Sequence, residues 1–352
     1  MKKILFTGGG SAGHVIPNIA LMEEILSGGI ADVCYIGTGG IEKRLVSEWK
    51  IPYFEMECPK LIRGKGWNVF KRNLTIPFAF HRAVKQAKAG LKAFSPDVVF
   101  SKGGYVALPV IVAARKMKIP CYAHESDFSV GLANKLSARA CQCVFTSFPE
   151  TAKRVRRGRY SGAPLRRSVL HTSRAEARIR LGIGFDETVV LVFGGGSGSE
   201  TINKSLFSHI QALTEKYVIL HVCGKGNGVK TNLKNYLQFE YVSDMGMMYA
   251  AADAVVSRAG AGTVFEILAL KKPALFIPLE GETRGDQVEN AAYFQRKGLC
   301  HVLRQAELTR LPQAIENLLF DDALKARLYE CDFSQGNANI LRELRSALQR
   351  QT

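Results

Sequence analysis

Two glycine-rich turns, one in each half of the chain, have the composition of phosphate-binding loops. Gly8–Gly13 follows the apolar run Ile4–Thr7, and Gly194–Ser199 follows the apolar run Val189–Phe193. Glycines let the backbone approach an anion closely, and a helix that starts at such a turn presents unpaired N–H groups. Two strand–turn–helix units of this kind predict two Rossmann-like halves that face each other across a cleft.

A small-residue turn in the second half carries an acid that suits a sugar nucleotide. Ser257–Gly262 leads from a strand-like run into a helix, where the amides of Gly262 and Thr263 suit a diphosphate. Glu266 lies one turn further on and suits the hydroxyls of a ribose, although an acid there also simply favours the helix dipole. Asp286–Ala291 places more polar side chains at the start of a helix, where they suit sugar hydroxyls.

The first turn also matches the dinucleotide fingerprint Gly-x-Gly-x-x-Gly, through Gly8, Gly10 and Gly13. A nicotinamide site needs in addition an acid at the end of the second strand, which binds the ribose hydroxyls. That strand ends in Ile36–Gly40, a stretch without an acid. The pattern therefore disfavours a nicotinamide or flavin dehydrogenase.

The turns belong to a chain in which strand-like and helix-like stretches alternate. The predicted strands are Ile4–Thr7, Val33–Ile36, Val98–Ser101, Pro120–Ala123, Val144–Thr146, Val189–Phe193, Val218–Val222, Ala254–Ser257 and Ala274–Pro278. The predicted helices include Ile41–Trp49, Phe80–Phe94, Gly131–Ala140, Thr263–Leu270 and Asp286–Lys297. This alternation is typical of an α/β fold with parallel sheets.

The length of 352 residues suits two domains, each with its own core. We expect the boundary near Gly162–Pro164, after a basic segment, Lys153–Arg159, that we expect to be irregular. This gives an N-terminal domain over residues 1–163 and a C-terminal domain over residues 164–338. The remaining residues, 339–352, contain a polar amphipathic helix, Asn339–Arg350, which we expect to pack back on the N-terminal domain.

The composition describes a reduced globular protein with an anionic partner. The formal net charge is +17, which favours nucleic acid, an acidic membrane or a phosphorylated substrate as partner. Apolar runs stay below the roughly 18 residues of a membrane span, and Met1–Lys3 leads directly into a strand, so we expect no signal peptide. The eight cysteines form no C-x-x-C pair, which favours buried thiols over a zinc site.

One basic segment narrows the choice of partner. Lys60–Lys92 holds nine lysines and arginines without an acid, interleaved with large apolar residues such as Trp67 and Phe78. Such a mixture suits anionic lipid headgroups, and Gly64, Gly66 and Pro77 are expected to interrupt a long core helix. The alternative is a core-facing helix with a solvated basic face. Nucleic acid is disfavoured because no helix-turn-helix, zinc-finger or RNP pattern occurs.

Several motifs together resemble the MurG family, the N-acetylglucosaminyltransferases of peptidoglycan synthesis in glycosyltransferase family 28. The resemblance runs in order from residue 3 to about residue 300 and is far more specific than either glycine turn alone. The motifs that carry it are Gly9–His14, Lys102–Val106, His124–Asp127, Gly131–Lys135, Ser257–Gly260 and Asp286-Gln287-x-x-Asn290-Ala291.

The resemblance implies a fold and a reaction. The fold would be GT-B, two Rossmann-like domains with an interdomain cleft. The reaction would be inverting transfer of GlcNAc from UDP-GlcNAc to the C4 hydroxyl of lipid I, which gives lipid II. The enzyme would lie peripherally on the cytoplasmic face of the bacterial cell membrane, beside its anionic lipid surface, with cell-wall synthesis or division proteins as further partners.

The resemblance also implies roles for individual residues. Arg166 would meet the UDP phosphates, Val242 would contact uracil through its backbone, and Gln287 would bind the GlcNAc hydroxyls. Ala261–Glu266 would hold the diphosphate and the ribose. Asp127 stands where many members have Asn, and Gly196 where most have a phosphate-contacting Ser, with Ser197 displaced by one. The substrate-binding set is Ser11, Ala12, Gly13, Tyr105, Asn134, Arg166, Gly196, Ser197, Val242, Ala261, Gly262, Thr263, Val264, Phe265, Glu266, Gln287 and Asn290.

An inverting transfer needs a base for the acceptor hydroxyl and stabilisation of the departing diphosphate. His14 is a candidate base, because imidazole titrates near neutral pH, and an equally acceptable role for it is to orient the loop or the acceptor phosphate. Glu125 and Asp127 are rival bases. Helix ends and Arg166 would stabilise the diphosphate without a metal or another cofactor, since the sequence lacks Asp-x-Asp.

Two alternatives stay open at this point. One is another GT-B enzyme, such as a glycolipid synthase, a natural-product glycosyltransferase or a UDP-sugar 2-epimerase, and an epimerase would need no lipid acceptor. The other is an inactive relative that serves as a membrane scaffold. The retained His14, Arg166, Glu266 and Gln287 count against it, whereas Asp127 and Gly196 leave room for it.

Overall fold

The protein divides into two compact α/β units in a computed structural model that describes residues 2–60, 67–196, 198–281 and 286–350. The first unit comprises residues 1–166 together with 335–352, and the second comprises residues 167–334. Of the residues singled out in the sequence, Ser197, Gly64 and Gly66 lie outside the described residues. Among the described helices, none is long and apolar enough to cross a membrane.

The first unit alternates strands and helices along its first 160 residues. The elements are β1 (Lys3–Thr7), α1 (Ala12–Ser27), β2 (Asp32–Gly37), α2 (Ile41–Ser47), β3 (Tyr53–Glu55), α3 (Trp67–Leu74), α4 (Ile76–Phe94), β4 (Val98–Ser101), α5 (Ala107–Lys116), β5 (Cys121–Glu125), α6 (Leu132–Ser137), β6 (Cys143–Thr146), α7 (Pro149–Arg154) and β7 (Gly158–Tyr160). The strands form one parallel sheet in the order β3-β2-β1-β4-β5-β6-β7.

The second unit repeats this plan with a six-stranded parallel sheet in the order β10-β9-β8-β11-β12-β13. Its elements are α8 (Arg167–Leu170), α9 (Arg174–Leu181), β8 (Val189–Phe193), α10 (Glu200–Thr214), β9 (Val218–Val222), β10 (Tyr236–Phe239), α11 (Met245–Ala251), β11 (Ala254–Ser257), α12 (Ala261–Ala269), β12 (Ala274–Phe276), α13 (Asp286–Arg296), β13 (His301–Val302), a 3₁₀ helix (Gln305–Arg310), α14 (Leu311–Leu319) and α15 (Asp322–Glu330).

The last helix, α16 (Gly336–Gln349), returns to the first unit. Its Ile340 and Leu344 join the core cluster that contains Phe6 on one face of the first sheet. At its start, Asn337 accepts a hydrogen bond from Leu165 N at 2.9 Å and donates one to Leu165 O at 2.8 Å. Through these two bonds the side-chain amide of Asn337 ties the start of α16 to the backbone near the end of the first long segment of this unit.

The central strands of both sheets are buried on both faces, as their apolar runs predict. In β1, Ile4 and Phe6 belong to the cluster under α1 and α16, whereas Leu5 belongs to the cluster under α4 and α5. The predicted central strands are confirmed. The strands that sequence analysis left out are β3, β7, β10 and β13, which are short and lie at the sheet edges, where half-exposed residues give no continuous apolar signal.

One local expectation agrees with the structure and one was wrong. Pro77 lies in the first turn of the 19-residue α4, directly after the break at Thr75 that separates α4 from α3, so no long helix runs through it. Lys153–Arg159 is not irregular, because it contains the end of α7 and the start of β7. The charged side chains of this segment are exposed, so the backbone pairs with β6 without an apolar pattern in the sequence.

Candidate active site

The loops at the carboxyl ends of β1, β4 and β5 meet at one edge of the first sheet, because these strands are neighbours. Gly10 has φ 84°, and a Cβ on it would lie 2.6 Å from Cε1 of Tyr105. Gly104 has φ 79°, and its Cβ would lie 2.4 Å from the carbonyl oxygen of Gly9. The turn after β1 and the turn after β4 therefore pack closer than side chains would permit.

His14 lies in the first turn of α1, half-buried beside the turn after β4. Its Nδ1 is 3.0 Å from Oγ of Ser11, the residue that precedes the helix. A Cβ on Gly104 would lie 3.2 Å from the same Nδ1. Since Nδ1 is engaged on the protein side, Nε2 is the ring nitrogen that suits proton exchange with a ligand. The amides of Ala12 and Gly13 precede the first backbone bond of the helix, from His14 N to Ser11 O.

Glu125 is a buried carboxylate that organises the loop after β5. Its Oε1 accepts from Asp127 N at 3.2 Å, and its Oε2 accepts from Gly131 N at 2.8 Å and from Asn134 Nδ2 at 2.9 Å. Asn134 also donates to the carbonyl oxygen of His124 at 3.2 Å. These bonds favour a loop-fixing role for Glu125 over a role as base, whereas Asp127 is only half-buried.

Lys102 is a buried cation at the end of β4, to which sequence analysis assigned no role. Its ammonium donates to Oγ of Ser126, and burial lowers its pKa to about 8, although Glu125 and Asp127 act in the opposite direction. The signal that marks it is a lysine at the end of an otherwise buried strand, directly before two glycines. A second missed residue is Glu42, a fully buried carboxylate on α2.

Glu42 also bears on the dinucleotide hypothesis. An acid does stand shortly after β2, but its carboxylate accepts from the amides of Gly10 at 3.2 Å and Thr38 at 3.1 Å. A carboxylate directed at the protein backbone and shielded from solvent is not placed to bind ribose hydroxyls. The buried contacts of Glu42 therefore also disfavour a nicotinamide dinucleotide at this turn.

In the second unit, the turn between β11 and α12 exposes a helix start. The first backbone bond of α12 runs from Val264 N to Gly260 O at 3.0 Å, so the amides of Ala261, Gly262 and Thr263 lie ahead of it. A Cβ on Gly260 or Gly262 would meet no atom within 4 Å. Three amides ahead of the first backbone bond, at the positive end of a nine-residue helix, suit an anion such as a diphosphate.

Glu266 lies on the same helix and is almost fully buried. Its Oε2 accepts a hydrogen bond from the hydroxyl of Tyr249 at 3.2 Å. Arg258 is also buried and holds the surrounding loops: it donates to Ser199 Oγ at 2.9 Å and to the carbonyl oxygens of Ile277 and Pro278 at 3.1 Å. Arg258 thus ties together the carboxyl ends of β8, β11 and β12, which frame α12.

The start of α13 lies beside this turn. Gln287 Oε1 accepts from Leu279 N at 3.0 Å, so its Nε2 is the group that suits donation to a sugar hydroxyl. Asn290 is fully buried and donates to the carbonyl oxygen of Ala259 at 3.2 Å. Asn290 therefore anchors α13 to the turn, whereas Gln287 is half-buried at its rim.

The other predicted positions vary in exposure. Val264 and Phe265 are buried, and Phe265 packs edge-on against Phe294, so any ligand contact there is through the backbone. Gly196 is exposed in the turn after β8, and Val242 is half-buried in the loop after β10. Arg166 is the last residue of the first unit.

Comparisons with known proteins agree with this arrangement. The models of the N-terminal and C-terminal domains of glycosyltransferase family 28 match residues 4–146 and 189–343. The UDP-N-acetylglucosamine–N-acetylmuramyl-(pentapeptide) pyrophosphoryl-undecaprenol N-acetylglucosamine transferase of Clostridium botulinum strain Langeland is 42% identical over 316 residues, 88% of either chain. The transferase of the same name from Clostridium kluyveri is 43% identical over 316 residues, again 88% of either chain.

A solved structure extends the likeness to three dimensions. The crystal structure of Acinetobacter baumannii MurG is similar to this chain with a TM-score of 0.76 and 25% sequence identity. The match covers 99% of this chain and 100% of that one. It confirms the predicted GT-B class, built from two Rossmann-like domains.

Proposed function

The chain belongs to glycosyltransferase family 28, and we propose that it transfers GlcNAc from UDP-GlcNAc to the C4 hydroxyl of the MurNAc of lipid I, giving lipid II. The resemblance to the MurG family seen in the motifs is confirmed by 42% identity over 88% of the chain, which is the observation that carries the proposal. Both halves of the family signature are present. The reaction is a hexosyl transfer with inversion at the sugar C1.

The second unit is the donor side of this proposal. The amides of Ala261–Thr263 hold the UDP diphosphate at the positive end of α12, which lowers the energy of the leaving group without a metal. Glu266 accepts hydrogen bonds from the ribose, and Nε2 of Gln287 donates to a GlcNAc hydroxyl. The backbone at Val242 faces uracil, and Gly196 lies in the turn that borders the phosphates.

The first unit is the acceptor side. The amides of Ala12 and Gly13 bind the acceptor diphosphate, and Nε2 of His14 takes the proton of the attacking hydroxyl. The contact between Nδ1 and Ser11 supports this assignment, because it orients the imidazole ring. Glu125 shapes the loop through its three N–H partners, and Asp127 completes the polar rim. Arg166 adds positive charge for the UDP phosphates.

A surface of α3 and α4 is proposed to dock on anionic lipid at the cytoplasmic face of the membrane, where the acceptor resides. Trp67 is 67% exposed and Phe78 is 82% exposed, and Lys71, Lys85 and Lys88 on the same two helices are exposed as well. The ammonium of Lys71 lies 5.6 Å from the centre of the Trp67 ring. Rings that are already in water with cations beside them favour insertion among anionic headgroups.

The test is an assay of labelled GlcNAc transfer from UDP-GlcNAc to lipid I by the purified chain. We expect labelled lipid II from the wild type and severe loss with His14→Ala. Conversion of UDP-GlcNAc without acceptor would instead indicate a 2-epimerase, and a soluble chain that binds UDP but transfers nothing would indicate an inactive scaffold. Either result would overturn the proposal.

A further inference from the structure

Glu42 is the second residue of α2 and is completely shielded from solvent. A carboxylate is costly to bury unless N–H or O–H groups satisfy its oxygens. Helix α2 follows β2, the neighbour of β1 in the sheet, and Glu42 lies against the acceptor-side turn, where it contacts Gly10. Its burial so close to a proposed anion-binding turn calls for a specific reason.

The two oxygens of Glu42 divide between two different turns. Oε1 accepts from the amide of Thr38 at 3.1 Å and from the hydroxyl of the same residue, in the turn after β2. Oε2 accepts from the amide of Gly10 at 3.2 Å, in the turn after β1. One carboxylate therefore connects the glycine turn that precedes α1 to the turn that precedes α2.

The glycines of both turns leave room for this carboxylate. A Cβ on Gly9 would lie 2.6 Å from Oε1 of Glu42, and a Cβ on Gly37 would lie 2.9 Å from its Cγ. A Cβ on Gly40 would lie 3.2 Å from Oε2. Side chains at these three positions would push the carboxylate out of place, so the glycine content of both turns fits the presence of Glu42 as well as that of a ligand.

The negative charge of Glu42 raises the pKa of neighbouring groups. The pKa of the Cys58 thiol is raised to about 12, mainly by burial and in part by the negative charge of Glu42. The pKa of the Tyr105 hydroxyl is raised by the same two causes in the same order. The Gly10 amide already donates to Oε2 of Glu42, so an incoming anion would have to displace this contact in order to bind there.

We propose that Glu42 is a positioning residue for the acceptor: it occupies the Gly10 amide and fixes the turn, so that the acceptor diphosphate binds at the Ala12 and Gly13 amides beside His14. This inference rests on the proposed function, and it explains why one buried acid is tolerated beside an anion site. Loss of either hydrogen-bonding oxygen would release the turn and misplace the diphosphate relative to the base.

The test compares Glu42→Gln with Glu48→Gln, a change of the same chemistry at an exposed position just after the same helix. In Glu42→Gln one acceptor oxygen becomes an N–H donor, which cannot accept from Gly10 or Thr38. We expect kcat/KM for lipid I to fall roughly ten- to a hundredfold, the range for one hydrogen bond to a charged group. Calorimetric UDP affinity, a property of the second unit, should stay within about twofold.

A second measurement reports the turn itself, independently of activity. Hydrogen–deuterium exchange of residues 8–14 should be faster in Glu42→Gln than in the wild type and in Glu48→Gln. Gly9→Ala intrudes on the carboxylate from the turn side and should reproduce the effect if Glu42→Gln folds poorly. Wild-type exchange rates and lipid I kinetics in Glu42→Gln would overturn the inference, as would a parallel loss of UDP affinity. A wild type that fails to glycosylate lipid I would overturn only the proposed function, because the exchange result still decides the role of Glu42.

Discussion

The docking surface on α3 and α4 permits a quantitative prediction about membrane binding. The perturbation is the triple change Lys71→Gln, Lys85→Gln and Lys88→Gln, which removes three exposed cations without adding repulsion. Arg82 is left in place because it forms an ion pair with Glu57. A separate variant, Phe78→Ser, removes the most exposed ring of the surface.

The expected magnitudes follow from exposure and charge. Each lysine that reaches anionic headgroups contributes about 1 kcal/mol, so the triple variant loses roughly 3 kcal/mol, or more than a hundredfold in partitioning. A fully buried phenylalanine contributes about 1.5–3 kcal/mol, and Phe78 already exposes 82% of its surface to water. Phe78→Ser should therefore weaken binding by roughly tenfold or more, since most of that ring is free to insert.

The assay is cosedimentation with vesicles of pure phosphatidylcholine or of phosphatidylcholine with phosphatidylglycerol. Wild-type binding should require the anionic lipid and weaken as salt rises, because exposed charges are screened. The matched control changes Lys225, Lys230 and Lys234, three exposed lysines of the second unit, to Gln, which preserves the net charge loss. If both triple variants bind equally poorly, the loss comes from overall charge. If both bind as well as the wild type, the three lysines of α3 and α4 do not contribute to binding. Either result would contradict the proposed docking surface.

Three further predictions concern the site and the fold. Glu266→Ala should weaken UDP binding by about 1–3 kcal/mol in calorimetry, because it removes a charged acceptor for the ribose hydroxyls, and an unchanged affinity would contradict this placement. Transfer should persist in EDTA if helix ends stabilise the diphosphate, and a complete loss restored by magnesium would refute that account. Burial lowers the pKa of Lys102 to about 8 from 10.5, so the unfolded chain binds more protons between these values. The free energy of unfolding of the wild type, measured with urea, should then rise with pH over that window relative to that of Lys102→Met. The same pH dependence in both proteins would contradict this prediction.

Much of the architecture follows from local patterns in the sequence. Continuous apolar runs such as Val189–Phe193 can only be buried on both faces, which indicates parallel strands covered by helices. Glycine turns directly after two such runs lie at the carboxyl edges of the two sheets, where ligands bind in open α/β sheets. The family motifs are local too, so helix starts near Ala12 and Ala261 were predictable.

Tertiary packing decided what individual polar side chains do. In the sequence, Glu125 is a carboxylate equivalent to any other candidate base, but the loop folds three N–H groups onto it. Glu42 carries no signal in a short amphipathic stretch, since its role depends on two turns that are separated in sequence and adjacent in the sheet. The hydrogen-bond partners of these carboxylates come from turns that follow neighbouring strands, and the order of the strands is a property of the whole sheet. The local sequence therefore determines where the turns lie. Which groups each charged side chain contacts is decided only by the tertiary structure.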